Sequence, residues 1–129
     1  MDFAVLMKKA ESVLHPREIA SNASAGSVAA ALLTERGNVY VGVCIDTCSG
    51  MGFCAEHAAI AAMITAGESR IMKIVAVAES GVVAPCGRCR EFINQIHDDN
   101  IDAEVMVAGG AVVTLRALLP YRWDERSVT

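Results

Sequence analysis

The sequence predicts an α/β fold: a five-stranded mixed sheet layered with helices. Three observations predict it. Apolar runs of strand length alternate with helical patterns through the middle of the chain, which implies parallel pairing with right-handed crossovers. Two pairs of strand-like runs are separated by too few residues for a crossover, so each pair is antiparallel. Between these pairs lies a helix with no charge from His57 to Glu68, which has to cover a sheet with at least one face.

The first helix is expected over Asp2 to Leu14, where Phe3, Met7, Ala10 and Leu14 form one stripe and Lys8, Lys9 and Glu11 lie off it. Pro16 interrupts it. Ser27 to Thr34 and Asn38 to Cys44 read as two strands, and the turn Glu35-Arg36-Gly37 makes them a hairpin. The second helix should run from about Cys54 to Ala66 and be closed by Gly67. Its second face needs a partner, which in so small a chain can be another copy of the protein. Met72 to Ala78 reads as a buried strand and Cys86 to His97 as a helix. Strands at Glu104 to Val107 and Ala111 to Thr114 flank Gly109 and Gly110 and close the sheet as an antiparallel pair.

At 129 residues, 1–129 reads as one domain, able to bury about two thirds of its unfolded surface. A chain that is 53% hydrophobic and 20% charged is not disordered. The net charge of −4 argues against a nucleic-acid polymer or an anionic membrane as partner. The longest uncharged stretch, Ile19 to Thr34, is interrupted by Ser21, Asn22, Ser24 and Ser27, so no membrane span is expected. The apolar run Phe3 to Met7 precedes Lys8-Lys9, the reverse of a secretory signal. A cytoplasmic location is therefore expected, where the five cysteines stay reduced and serve as metal ligands or reactive groups.

Two segments carry the chemistry: Cys54-Ala55-Glu56 and Pro85-Cys86-Gly87-Arg88-Cys89. Each follows a strand and opens a helix, the place where open α/β sheets put their sites. Cys86 and Cys89 are three apart, so one helical turn sets both sulfurs on one face, and Pro85 preorganises the entry. Cys54 can add a third sulfur. Three protein ligands leave tetrahedral zinc one open position, the catalytic pattern. Glu56 is poorly placed as a ligand and well placed to take a proton from a water beside the metal.

Cys-Ala-Glu followed by Pro-Cys-Gly-Arg-Cys-Arg resembles the zinc-dependent cytidine deaminase superfamily, whose zinc signature is a known motif. The resemblance runs from about Ser27 to Trp123 and includes Gly42-Val43 and Leu118-Leu119-Pro120. The three cysteines and the short chain are similar to the small homotetrameric branch, which holds cytidine and blasticidin-S deaminases. It implies a three-layer α/β/α sandwich, one zinc per subunit on Cys54, Cys86 and Cys89, and Glu56 as the proton shuttle. It further implies a small aminopyrimidine nucleoside as substrate, with Ala55 and Ala84 holding the base edge. The usual Asn-x-Glu sugar contact reads Cys44-Ile45-Asp46 here, so Cys44 and Asp46 are its counterparts. An aromatic often found near the base reads Gly26, and the Arg after the catalytic Glu reads His57. Trp123 matches a C-terminal Trp of blasticidin-S deaminases, which makes it a candidate substrate contact and blasticidin S, or another amino-heterocycle, an alternative substrate.

Plainer readings stand beside these. Cys86 and Cys89 alone can form a thiol–disulfide pair. Cys44 or Cys48 as a fourth ligand would close the zinc site and make the chain a non-catalytic, metal-stapled binding module. His57, Arg88 and Arg90 can offset the charge of the thiolates or serve as ordinary packing and surface groups.

Overall fold

The computed structural model describes residues 1–124. Helix α1 (Phe3–Glu11) starts at Asp2, whose side chain accepts the Val5 N–H at 3.0 Å, a cap that contributes about 1 kcal/mol. It buries Phe3, Leu6 and Ala10, so the apolar stripe is turned by one residue from Met7 to Leu6. Strands β1 (Arg17–Ala20), β2 (Ala23–Thr34) and β3 (Val39–Thr47) follow, then α2 (Ala55–Thr65). Next come β4 (Ile71–Ala78), β5 (Gly81–Val83) and α3 (Gly87–Gln95). Strands β6 (Glu104–Met106) and β7 (Val112–Thr114) and the short α4 (Leu115–Leu118) complete the order.

Among the described residues the sheet has seven strands rather than five. It is five strands wide, in the order β3-β2-β4-β6-β7, and the two unexpected strands are short additions to edges already in use. Ala23 and Ala25 pair with β1 on one side and β3 on the other, so β1 shares an edge of β2 with β4. Ala76 pairs with Ala30 and Val83, and Ile74 with Leu32 and Val105, so β5 shares an edge of β4 with β6. Strand β1 was silent in the sequence because Arg17-Glu18-Ile19-Ala20 is exposed throughout and shows no alternation. Strand β5 is three residues long, below the length at which periodicity can be read.

The expected parallel centre is also corrected. Strands β3 and β4 run in the same direction, but β2 lies between them and is antiparallel to both. The parallel ladder is β4 with β6; the other pairs of named strands are antiparallel, including the expected β2·β3 and β6·β7. The pattern strand–helix–strand reports direction, not adjacency, and the small residues of β2 let it occupy the middle.

Alternation along β2 divides the molecule into layers. Ala29, Ala31 and Leu33 pack with Val75 and Val77 against Phe3, Leu6 and Ala10 of α1. Ala30 and Leu32 pack with Ile74 and Ala76 against Ala59, Ile60 and Met63 of α2 and Ile93 of α3. Each large aliphatic side chain so buried contributes about 1.5–3 kcal/mol. Helix α2 lies very close to β3: a Cβ on Gly42 would fall 2.4 Å from the Ala59 nitrogen. This approach leaves room only for small side chains on α2 where it crosses Gly42, at Ala58 and Ala59.

Two buried polar groups tie the layers together. Asn100, fully buried, accepts the Ile71 N–H at 2.8 Å and donates to the Ser69 and Ile93 carbonyls at 3.0 Å, joining the start of β4 to α3. Glu68, just after α2, accepts from Asn38 Nδ2 at 2.8 Å and the Tyr40 hydroxyl at 2.7 Å, which fastens the β2–β3 hairpin to the helix end. Thr34, Tyr40 and Asn38 together hold the Glu68 carboxyl below the usual carboxylate range. A depressed carboxyl stabilises the fold above its ordinary pKa of 4.5 and loses that contribution as pH falls through the lower folded value. Glu68→Gln is therefore expected to lower the denaturant midpoint at neutral pH and to shrink the loss seen below pH 4.5. An unchanged acid limb in that variant would exclude the linkage.

Candidate metal centre

Cys54 is the N-cap of α2 and Cys86 the N-cap of α3. Both have extended backbones, and neither side chain caps its own helix, so both sulfurs are free for another partner. Cys89 lies one turn into α3 and is fully buried. The Cys54 and Cys86 sulfurs are 3.6 Å apart, as are those of Cys86 and Cys89, and all three lie within 4.8 Å of one another. Tetrahedral zinc with Zn–S bonds of about 2.3 Å needs sulfurs about 3.8 Å apart, so the trio fits that ion. Among the described residues, no other His, Cys, Asp or Glu joins this group.

The electrostatics also suit a cation. Burial pushes the Cys54 and Cys89 thiols up, and Glu56 adds to the rise at Cys89. Burial opposes ionisation of Cys86 too, but the Cys89 and Arg88 backbone N–H groups and the neighbouring thiols outweigh it, and the net shift is downward. The start of α3 thus favours one thiolate, and a bound cation supplies what the other two need.

Glu56 stands in the first turn of α2 and is 5% exposed. Burial raises its pKa, so it holds a proton more readily than a carboxyl in water. It lines a cavity of about 460 Å³ together with Cys54 and Cys86. Of the other expected contacts, Cys44, Asp46, Ala55 and Ala84 line the same cavity. Trp123 is 77% exposed and lies outside that lining. The Trp123 backbone N–H donates to Glu91 Oε1 at 2.8 Å, which ties the C-terminal segment to α3.

The three basic groups take different places. Arg88 lines the cavity. Arg90 donates to the Pro85 carbonyl at 2.8 Å and the Leu118 carbonyl at 3.1 Å, bracing the loop that carries Cys86. His57 Nδ1 is 3.3 Å from Cys89 Sγ, and its ring stacks on Phe92 at 4.4 Å. Burial and then Arg88 lower its pKa, which favours neutral imidazole at neutral pH. Cys48 is exposed and Cys44 is buried, and both are free thiols.

Ser27 and Val28 were not foreseen at the cavity. The register passes from Ala25↔Ile45 to Ala29↔Val43, so Gly26, Ser27 and Val28 bulge opposite Cys44 alone. The bulge sets the Ser27 hydroxyl 3.2 Å and the Val28 nitrogen 3.3 Å from Cys44 Sγ. Gly26 has φ +82°, and a Cβ there would meet the His15 carbonyl oxygen at 2.1 Å, which excludes an aromatic side chain. A glycine inside an apolar strand was the available signal.

The description "Cytidine and deoxycytidylate deaminase zinc-binding region" matches residues 4–105. The chain belongs to that family. Its zinc region includes all three clustered sulfurs and Glu56, and the metal the cluster fits is zinc. A cytidine deaminase from Mycobacterium tuberculosis is 36% identical over 69 residues, a stretch that covers 52% of this chain and 52% of that protein. The chain thus spans about half the length of this curated relative. The cytidine deaminase of Sporosarcina psychrophila is 32% identical over 106 residues, covering 79% of this chain and 78% of its own. The crystal structure of cytidine deaminase from Mycobacterium leprae superposes with a TM-score of 0.78 at 27% identity, over 93% of this chain and 98% of that one. The deaminase-like fold therefore extends beyond the matched zinc region to the short edge strands, giving the expected three-layer α/β/α sandwich.

Proposed function

We propose that this chain, acting as one domain over residues 1–129, is a hydrolase that deaminates an aminopyrimidine nucleoside, cytidine or deoxycytidine. The observation that carries this reading is the cluster of three cysteine sulfurs, two of which line one cavity together with the buried carboxyl of Glu56. Cys54, Cys86 and Cys89 would hold one zinc per subunit, which when bound acidifies water and polarises the reacting centre.

Glu56 does the proton work. It takes a proton from the attacking water and delivers it to the ring nitrogen as the new C–O bond forms at the amino-bearing carbon. It then takes the remaining proton from the new hydroxyl and passes it to the amino group, the C–N bond breaks as the carbonyl forms, and ammonia leaves a uracil ring behind. The Ala55 backbone and the Ala84 carbonyl hold the base edge at the mouth of the two helices. Cys44 and Asp46 face the rest of the substrate. Trp123, turned outward on its own subunit, is available to a neighbour's site.

The assembly we propose is a homotetramer in the cytoplasm. Its support is the apolar surface left on α2, where Ile64 is 45% exposed, and on the edge strand β3, where Val41 is 37% exposed. No helix among the described residues is long and apolar enough to cross a membrane. Light scattering is expected to give four times the 13.6 kDa chain, and a stable monomer would remove the assembly.

The test of the activity is ammonia release by zinc-loaded protein from cytidine, deoxycytidine, blasticidin S and aminopurines. Release from the first two is expected. Release from blasticidin S alone would transfer the assignment to that alternative. No release from any of them would leave a zinc-stapled binding module.

A further inference from the structure

The two helices that carry the sulfurs begin in the same way. Cys54 and Cys86 are N-caps, and neither side chain caps its own helix. An N-cap that keeps its side chain for a metal leaves the first turn without its usual fastening. What steadies each start lies just upstream. At α2 it is Phe53, whose N–H donates to the Ile45 carbonyl at 2.9 Å and whose carbonyl accepts the Ile45 N–H at 3.1 Å. This one-residue bridge to β3 fixes the backbone immediately before Cys54.

The start of α3 is held differently. Strand β5 ends at Val83, so Ala84 and Pro85 lie beyond its ladder with β4. Pro85 has no N–H, and its carbonyl is its one backbone group able to hydrogen-bond. Arg90 Nε donates to that carbonyl at 2.8 Å. The Arg90 backbone N–H donates to the Cys86 carbonyl at 3.0 Å, so one residue grips both Pro85 and Cys86 from a turn further along. The same guanidinium donates through Nη1 to the carbonyl of Leu118, the last residue of α4, at 3.1 Å. Helix α4 is itself anchored in the core by the fully buried Leu115. A planar guanidinium presents its donors in a fixed fork, so it joins the two carbonyls rigidly.

We propose that Arg90 is a positioning residue of the metal centre: by fastening Pro85 to α4 it sets the Cys86 sulfur where the cation needs it. The other two sulfurs have their own supports. Cys89 is fully buried inside α3, and Cys54 follows the Phe53 bridge. Cys86 is exposed, and its sulfur lies 3.6 Å from each of the others, so a shift there opens both contacts at once. Zinc binding alone is at stake, whatever substrate the cavity takes.

The experiment measures metal binding in three variants of the full chain. Arg90→Met keeps the apolar stem and removes the donors. Its zinc affinity, read by competition with a chelator, is expected to fall about 10–100-fold, the range for a partner that orients a metal ligand. Arg90→Lys keeps a cation but not the fork, so it should bind zinc more tightly than Arg90→Met and several-fold more weakly than the wild type. Cobalt loading adds a signature, because thiolate-to-cobalt absorption reports the bound sulfurs. That band should weaken in Arg90→Met and partly return in Arg90→Lys. A side chain that merely stabilised the fold would lower the melting temperature and move neither readout. Glu91→Ala is the control: it removes the tie to the Trp123 N–H and leaves Pro85 alone. It should melt lower with wild-type zinc affinity and cobalt spectrum. Should Arg90→Met fail to fold, Arg90→Lys decides by the same two readouts. Wild-type zinc affinity in either Arg90 variant, or an equal loss in Glu91→Ala, would overturn the role.

Discussion

Glu56→Ala is expected to keep one zinc per subunit and to lose ammonia release by about 10²–10⁴-fold, the range a positioned proton-transfer group supplies. The separation of the two effects follows from position. Glu56 lies in the first turn of α2 and lines the cavity, but the atoms close enough to share a metal are the three sulfurs. Removing the carboxyl therefore leaves the metal's ligands in place. It also removes a buried charge that raises the Cys89 thiol, so metal retention should not suffer. Glu56→Gln keeps the side-chain volume and the hydrogen-bonding reach while abolishing proton exchange, which separates lost chemistry from a collapsed cavity. Metal analysis and ammonia release on the two variants make the check. Near-wild-type turnover in either would remove Glu56 from the mechanism.

Cys89→Ala should cost zinc itself. Structural zinc sites with four ligands hold the ion with about 10–16 kcal/mol, so one ligand carries roughly 3 kcal/mol, on the order of a hundredfold in affinity. Cys89 is fully buried, 3.3 Å from His57 Nδ1, so its loss also leaves a small void. Wild-type protein is expected to gain thermal stability on zinc addition, because the ion binds the folded chain. The Cys89→Ala protein should melt lower and show little of that gain. The contrast with Cys44→Ala and Cys48→Ala is decisive for a closed site. Cys44 is engaged by Ser27 and Val28, and Cys48 is exposed, so both variants should bind zinc like the wild type. A hundredfold loss in either would restore a fourth sulfur and remove the open position on which hydrolysis depends.

The ease with which the metal centre could be read has a physical origin. Cys86 and Cys89 share a helical turn, and that relation is local: spacing alone sets the direction of both sulfurs. Cys54 opens a helix after a strand, so the alternation of elements brought it to the same end of the sheet. The hairpin β2–β3 and the pair β6·β7 were legible for the same reason, since short turns leave the chain no other pairing. The surroundings of the metal were less visible. Arg90 is close in sequence to the sulfurs yet spends its guanidinium on the Pro85 and Leu118 carbonyls. Trp123, expected at the substrate, is exposed on this chain and tied to α3 through its backbone N–H and Glu91.

The sequence by itself picked out the three cysteines that cluster, the carboxyl beside them and the layered α/β class, because each is encoded by periods and spacings within a few residues. Only the tertiary structure decided the width and order of the sheet and the bulge that brings Ser27 and Val28 to Cys44. These arise from register between distant segments. Register is set by which faces pack against α1 and α2, a property of the assembled layers that no stretch of β1, β2 or β3 carries alone.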